Sequence, residues 1–245
     1  MFKISIFEGD TSLIKQAGFD SVMLGWRDDD RKEKPDRFRK AGLHIENIHA
    51  ATKNSDDFWL DNLNGEDYMN CLLTSINDCK EYNIPTMAVH LIYGSVPPPP
   101  DTIGIERLKR ITEKAEHDNI NIAFENTGSA ECVRFVFDNI PSKKLGFCFD
   151  SGHQNLSAPD DLLEEYGDRL MAMHLNDNFG TDDLHLLPFD GNIDWNKITR
   201  QLKNVKYKGA IAFEINNSNY AQWSPEKFYE EAFNRATKLW DMVNK

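Results

Sequence analysis

The feature that most constrains this chain is a rhythm. Short apolar runs alternate with longer amphipathic stretches from one end to the other. The runs at 2–7, 21–24, 44–49, 86–90, 121–125, 145–150, 171–175 and 210–215 have the length and composition of buried strands. Between them, 65–82, 103–119, 129–139, 159–166, 195–202 and 225–243 read as helices. Strand followed by helix, about eight times over, is the pattern of parallel β/α units. Dividing 245 residues by eight gives roughly 31 per unit, the size expected of a (β/α)₈ barrel. An open doubly wound sheet would carry a glycine-rich turn after its first strand, whereas Gly9-Asp10-Thr11-Ser12 offers one glycine and no GxGxxG or phosphate loop follows. No Ser/Gly linker or charge block divides the chain, and Pro97–Pro100 reads as a stiff loop after the fourth strand. The expected fold is therefore α/β, a (β/α)₈ TIM barrel, as a single domain over residues 1–245.

The chemistry sits at the strand ends. The third strand ends in His49, the fourth in His90, the fifth in Glu125 and the sixth in Asp150. His174 lies near the end of the seventh, and Glu214 near the end of the eighth. Residues two apart on a strand share a face, and two positions before five of these stand Ala88, Ala123, Cys148, Ala172 and Ala212. Their neighbours are bulky, as in Met87/Val89, Ile122/Phe124, Phe147/Phe149, Met171/Met173 and Phe213/Ile215. The small face should fill the barrel, the bulky face should meet the helices, and the polar residues should converge at the C-terminal mouth. Several carboxylates buried together call for a neutralising cation. Mixed imidazole and carboxylate donors suit Zn, Mn, Fe or Co and argue against Ca. Asp150-Ser-Gly-His153 adds an imidazole three residues beyond a carboxylate, and Asp183-Leu-His185 can reach one point from an extended segment.

Composition limits the partners. With 28 basic and 40 acidic residues the net charge is −12, which disfavours nucleic acid and anionic membrane surfaces as broad partners. The start, MFKISIFEGD, lacks the basic and apolar regions of a signal peptide, and no apolar run approaches the roughly 20 residues a membrane helix needs. Cys71, Cys79, Cys132 and Cys148 show no CxxC spacing and are expected to be reduced core residues in a cytoplasmic protein.

In IAFENT (122–127), FDSGH (149–153), HLNDN (174–178), DLHLLPFDGNIDW (183–195) and AFEI (212–215) the chain resembles the xylose-isomerase-like barrel superfamily. That superfamily includes sugar phosphate isomerases and epimerases and the apurinic-site endonucleases. The resemblance implies a divalent metal (Mn, Zn, Co, Fe or Mg) held by Glu125, Asp150, His174 and Glu214. Glu125 and Glu214 would be the catalytic carboxylates, on opposite faces of a carbohydrate. His153 would contact substrate, and His49, His90, Asp183 and His185 would bind substrate or further metal. In one respect the chain departs from the family: where LPGxG is usual it has Leu187-Pro-Phe189-Asp-Gly191, and phenylalanine resists the positive φ that glycine tolerates. The loop is therefore expected to run differently, with Phe189 joining Trp26 and Tyr93 in a pocket wall. Phe7, Phe58, Trp59 and Trp195 are further aromatic candidates near the mouth, and Arg27 and Lys53 lie in strand-following loops.

The implied reaction is proton abstraction beside a carbonyl through a metal-stabilised enediolate. A dehydratase or lyase on a sugar or inositol is an alternative at the same site. A phosphodiesterase of the endonuclease type, with several metals, would use more of the donors, but the −12 charge and the absence of Lys and Arg from residues 94–100 count against it. A barrel kept only as a binding module would be expected to lack donors, and none is missing. Nothing in the chain demands a phosphorylated substrate, and the C-terminal helix is expected either to close the barrel or to reach a second subunit.

Overall fold

The structure, a computed structural model, describes residues 4–27, 30–93, 97–156 and 160–245. Eight parallel strands run β1 (Ile4–Phe7), β2 (Ser21–Trp26), β3 (His44–Ala50), β4 (Thr86–Val89), β5 (Asn121–Glu125), β6 (Leu145–Asp150), β7 (Leu170–His174) and β8 (Ile211–Phe213). Each pairs with its sequence neighbour from β1 to β7, and β8 pairs with β1. The ring closes between β7 and β8 just above the named strands. There Leu175 bridges Phe213, its N–H donating to Ala212 O at 2.8 Å while Glu214 N–H donates to Leu175 O at 3.1 Å. The expected (β/α)₈ barrel is what forms.

The two faces sort as the alternation requires. Ala88, Ala123, Cys148 and Ala172 form an inner cluster of their own, separate from the large core between sheet and helices. Met87, Val89, Ile122, Phe124, Phe147 and Phe149 all belong to that outer core. Met171 is a correction, for it packs against the inner cluster rather than outside with Met173. The β6–β7 ladder shifts register between Phe147 and Cys148, and Met171 Sδ lies 2.3 Å from where a Cβ on Gly146 would stand. Glycine leaves the room that the methionine fills.

Helices α1 (Thr11–Ala17), α2 (Lys34–Lys40), α3 (Leu63–Glu81), α4 (Thr102–Asp118), α5 (Ala130–Asn139), α6 (Ser151–Leu156), α7 (Leu162–Tyr166), α8 (Trp195–Asn204) and α9 (Pro225–Asn244) occupy the connections. Helices α1, α2 and α6 are too short to show a full amphipathic period and escape sequence reading. The helix expected from residue 159 begins at Leu162, capped by the Asp161 carboxylate, and residue 159 itself lies outside the described residues. Helix α9 covers the β8–β1 seam, with Phe228, Leu239 and Val243 buried and Phe233 edge-on to Phe19. Among the described residues no helix is long and apolar enough to cross a membrane. Cys79, Cys132 and Cys148 are buried thiols, as expected, and Cys71 is half-buried.

The loop from β7 to α8 carries Asp183 and His185, and one buried carboxylate organises it. Asp177 Oδ1 accepts from the N–H groups of Asn178 (2.9 Å) and Ile193 (3.2 Å), and Oδ2 accepts from Phe189 N–H (2.9 Å) and Trp195 Nε1 (2.8 Å). Gly191 passes so close that a Cβ would stand 2.2 Å from both Asn178 O and Asp177 Oδ1. Contrary to expectation, Phe189 does adopt a positive φ of 77°. Such strain costs about 1–2 kcal/mol, less than charge-assisted hydrogen bonds return. Replacing Asp177 by alanine strands four donors and is expected to cost about 3 kcal/mol or more in urea unfolding. A loss below about 1 kcal/mol would show that the loop is held by something else.

Candidate active site and metal centre

Glu125 is the hub of the barrel mouth. It ends β5, is 1% exposed, and takes imidazoles on both oxygens. Oε2 lies 2.8 Å from His174 Nδ1 and 3.5 Å from His49 Nε2, while Oε1 lies 2.9 Å from His153 Nδ1 and 3.2 Å from His90 Nε2. Glu214, just past β8, places Oε2 3.1 Å from the same His174 Nδ1. Two overlapping groups result, His49–Glu125–His174–Glu214 and His90–Glu125–His153, each with its donor atoms within 4.8 Å of one another.

These contacts are short, yet they are not hydrogen bonds. Both oxygens of Glu125, both ring nitrogens of His174 and Nδ1 of His153 are buried without a hydrogen-bond partner. The facing atoms therefore lie at hydrogen-bond distance without making hydrogen bonds. Spacings near 3 Å are what neighbours show when each sits about 2.0–2.2 Å from one ion. Orphaned buried donors, mixed imidazole and carboxylate chemistry and these spacings all fit a divalent cation.

Hydrogen bonds behind the donors set their orientation. Nδ1 of His49 is 2.8 Å from Ala50 O, which assigns the proton there and turns Nε2 inward. His185 likewise holds Glu214 O through Nδ1 at 2.9 Å and Asp183 Oδ2 through Nε2 at 3.0 Å. Asp183 Oδ2 is also 3.4 Å from His153 Nε2, so Asp183 and His185 join the mouth as a second tier. Asp150 stands apart. It is fully buried, but Oδ1 accepts from His153 N–H (2.7 Å) and Oδ2 from Asn176 Nδ2 (2.9 Å), and it belongs to neither convergent group.

Electrostatics follow from this crowding. Burial opposes ionisation of Glu125, yet His90 and His174 hold its carboxyl well below the usual range. Glu214, half-buried, is brought down to about 2 by His174 against its own desolvation. Asp150 is pushed up to about 6, chiefly by burial, with Glu125 and Glu214 adding to it. Burial disfavours charge on His153, but Asp150, Asp183 and Glu125 raise it to about 12. His174 is raised well above its ordinary value against the same burial, by Cys148, Glu125 and Glu214, and His185 reaches about 9 beside Asp183. His49 moves the other way, lowered by burial and by His90. The imidazoles therefore provide the positive field that keeps Glu125 and Glu214 ionised, a part that a bound cation would share.

The mouth opens into a polar cavity of about 280 Å³. Trp26 and Tyr93 line it as expected. Trp26 is anchored by an indole N–H donated to Asp78 Oδ2 (2.9 Å), and Tyr93, 69% exposed, lies over His90 with centroids 6.0 Å apart. Phe189 is not a wall residue. Its ring tilts against Trp195 and lies under Lys238 Nζ, 3.6 Å from the centroid, because Asp177 draws its backbone inward. Phe58, Trp59 and Trp195 are core residues rather than mouth residues, while Phe7 and Arg27 do line the cavity and Lys53 does not.

Two residues that sequence reading passed over complete the site. Asn126 exchanges two 2.7 Å hydrogen bonds with the Asp150 backbone, and Asn176 holds the Asp150 carboxylate. Both stand inside recognised motifs, ENT and HLN, one and two positions after a donor, and that adjacency was the available signal.

Comparison with known proteins agrees with the fold. The chain is 38% identical over 133 residues to protein y4fM of Sinorhizobium fredii, and 34% identical over 141 residues to protein MJ1311 of Methanocaldococcus jannaschii. Those matches cover 51% and 52% of this chain, and the chain spans less than half the length of either relative, 42% and 48%. Among solved structures it superposes on a D-tagatose 3-epimerase-like protein with TM-score 0.77 at 21% identity, covering 99% of this chain and 98% of that one. An L-ribulose 3-epimerase gives 0.72 at 18% identity over 100% and 99%. The IOLI protein with a bound zinc atom gives 0.76 at 16% over 99% and 98%. Residues 12–239 match the family described as xylose isomerase-like TIM barrel, and the chain belongs to that family.

Proposed function

We propose that the protein is a divalent-metal-dependent isomerase or epimerase of a sugar, working by proton transfer beside a carbonyl. The observation that carries this reading is the convergence of Glu125, His174, Glu214 and His49 on shared space without hydrogen bonds among their facing atoms. Glu125, His174 and Glu214 would hold the ion (Mn, Zn, Co, Fe or Mg), with Asp150 or His49 as the fourth donor. The bound ion supplies the positive charge that acidifies a C–H next to a carbonyl. The L-ribulose 3-epimerase and the D-tagatose 3-epimerase-like protein on which the chain superposes, and the zinc in IOLI, support the same class.

The residues themselves divide the work. Glu125, ionised well below neutral pH, is ready to take a proton from the substrate carbon. Return of that proton by Glu125 to the adjacent carbon gives isomerisation. Return from the other side by Glu214, which must first take a proton from solvent, gives epimerisation with solvent hydrogen incorporated. His153 and His185, charged at neutral pH and lining the cavity, donate hydrogen bonds to substrate hydroxyls or to the developing oxyanion.

A second reading, multi-metal phosphodiester cleavage, draws on the further donors His90, His153, Asp183 and His185. A 280 Å³ cavity and a charge of −12 fit a small carbohydrate better than a duplex. A salt-dependent gel shift on abasic duplex is expected to be negative.

Deuterium incorporation from solvent into a panel of C4–C6 ketoses and inosose-type ketones tests the reaction. Exchange is expected with at least one member, and its complete absence would count decisively against the proposal. Glu125→Gln should lower exchange by about 10²-fold or more while the circular dichroism spectrum stays unchanged. Because the base is ionised far below neutrality, its own protonation should set no acid limb down to about pH 5 when the metal ion is kept saturating. Stripping the protein with a chelator should lower its thermal midpoint. Adding back ion at about 100 times its Kd should restore about 2.7 kcal/mol, or roughly 5–10 °C. His174→Ala is expected to abolish that response, and a variant that still responds fully would remove His174 from the centre.

A further inference from the structure

A second chamber adjoins the catalytic one, and nothing in the proposed chemistry uses it. Its volume is about 490 Å³, and it shares Phe7, Arg27, His185 and Glu214 with the first, so the two adjoin across those side chains. The first chamber alone lies at the bottom of the roughly 300–1,000 Å³ range of small-molecule sites, and the pair together lies well within it. Beyond the shared wall, the second chamber is bounded by Glu8, Asn217 and Tyr229 among others.

Its polar groups are built rather than incidental. Lys34, almost fully buried, grips Glu8 Oε1 at 2.8 Å, Gly25 O at 2.8 Å and Asp30 Oδ1 at 3.1 Å. That leaves Glu8 Oε2 buried, without a hydrogen-bond partner, on a side chain that lines the chamber. Tyr229 is fixed opposite. Its hydroxyl accepts from Asp10 N–H at 3.3 Å, and it lies over Gly9 so closely that a Cβ there would stand 2.1 Å from the oxygen. Arg27 spans both chambers, and its guanidinium bonds no other side chain among the described residues. An unsatisfied carboxylate oxygen just beneath the lining, a guanidinium without a side-chain partner among the described residues and aromatic rings at Phe7 and Tyr229 make the kind of wall that a hydroxyl-bearing ring uses.

The same groups exclude an anion. Arg27 is the one Lys or Arg lining the chamber among the described residues, both ring nitrogens of His185 are taken by Glu214 O and Asp183 Oδ2, and the Lys34 charge is already committed to Glu8 and Asp30. A phosphate or carboxylate would have to lie beside the free oxygen of Glu8 and beside Glu214. A neutral hydroxyl, in contrast, donates to Glu8 and accepts from Arg27 without opposing charge.

We propose that the substrate is a keto-sugar carrying a neutral glycosyl or polyol extension, the reacting carbons lying at Glu125 and the extension in the chamber of Glu8, Arg27 and Tyr229. This rests on the function proposed above for its reacting end, and the test separates the two. Binding is read by calorimetry with alditols, which carry no carbonyl and cannot react: sorbitol, 6-O-glucosyl sorbitol and sorbitol 6-phosphate. Exchange is read with fructose, 6-O-glucosyl fructose and 4-O-glucosyl fructose. The glucosyl alditol is expected to bind about tenfold or more tighter than sorbitol, and the phosphate no tighter. The glucosyl ketoses are expected to exceed fructose in kcat/KM, since remote contacts feed the reacting step. Arg27→Ala, at an exposed position that does not threaten folding, and Glu8→Gln should each collapse both ratios toward one. Equal binding of sorbitol and its glucoside overturns the extension site whether or not exchange occurs, as does a preference for the phosphate. Tight glucoside binding that both variants abolish, without exchange in any ketose, upholds the chamber and overturns the chemistry.

Discussion

Everything at the mouth of this barrel depends on one electrostatic constraint: Glu125 and Asp150, fully buried, are brought together with the half-buried Glu214 where hydration is scarce. Three crowded carboxylates repel one another and lose hydration, so the arrangement survives only with compensating charge and hydrogen bonds. The chain compensates them unequally. Asp150 is settled by neutral donors, Asn176 on its carboxylate and the N–H of His153, and is pushed up to about 6. Glu125 receives no such donor and is surrounded by four imidazoles. Two carboxylates at the ends of adjacent strands thus have opposite pKa shifts, and the one without hydrogen bonds keeps both oxygens free for an ion or a proton.

The barrel supplies the convergence through its interior. Ala88, Ala123, Cys148 and Ala172 form a narrow packed layer, and the donors stand one pleat above it on the same inward columns. Larger residues at those positions would widen the ring and spread the donors apart. Parallel register then staggers the tier, since Glu125 pairs with Cys148 while Asp150 pairs with His174. Glu125 therefore sits lower in the mouth than a flat comparison of strand ends suggests, and it can be reached by His49 and His174 from two sides. The closure between β7 and β8 brings Glu214 onto the same centre, because the bridge at Leu175–Phe213 fixes His174 and Glu214 in adjacent positions.

Much of this was legible in the residues. The strands, the inner and outer faces and the donors at the strand ends follow from period-two alternation, which a buried parallel sheet enforces strongly. Short elements were not legible. Helices α1, α2 and α6 depend on caps and tertiary packing, as Asp10 and Gly18 show at the two ends of α1. Aromatic residues were harder still, since composition cannot say which side of a loop a ring will take. Trp26 reached the cavity because its indole found Asp78, whereas Trp195 was drawn into the core by Asp177. The partition of donors was equally hidden. Spacing places Asp150 beside Glu125, and only the positions of Asn176 and the His153 N–H decide that each of its oxygens already accepts a hydrogen bond.

Phe189 marks the point where a local rule yielded to a tertiary one. Positive φ in phenylalanine is unfavourable, and His185 in the same loop also has a positive φ, 48°. Both are tolerated because each is tied by its neighbours. Phe189 N–H is held by Asp177, the imidazole of His185 is held by Glu214 O, and the backbone carbonyl of His185 accepts from Asn216 N–H at 2.9 Å. The ties at His185 join the β7–α8 loop to the segment after β8, so His185 and Glu214 move as one backbone-linked wall. That wall divides the catalytic chamber from its neighbour. Phe7 and Arg27 make up the rest of the shared boundary, so the extension proposed above would pass beside them.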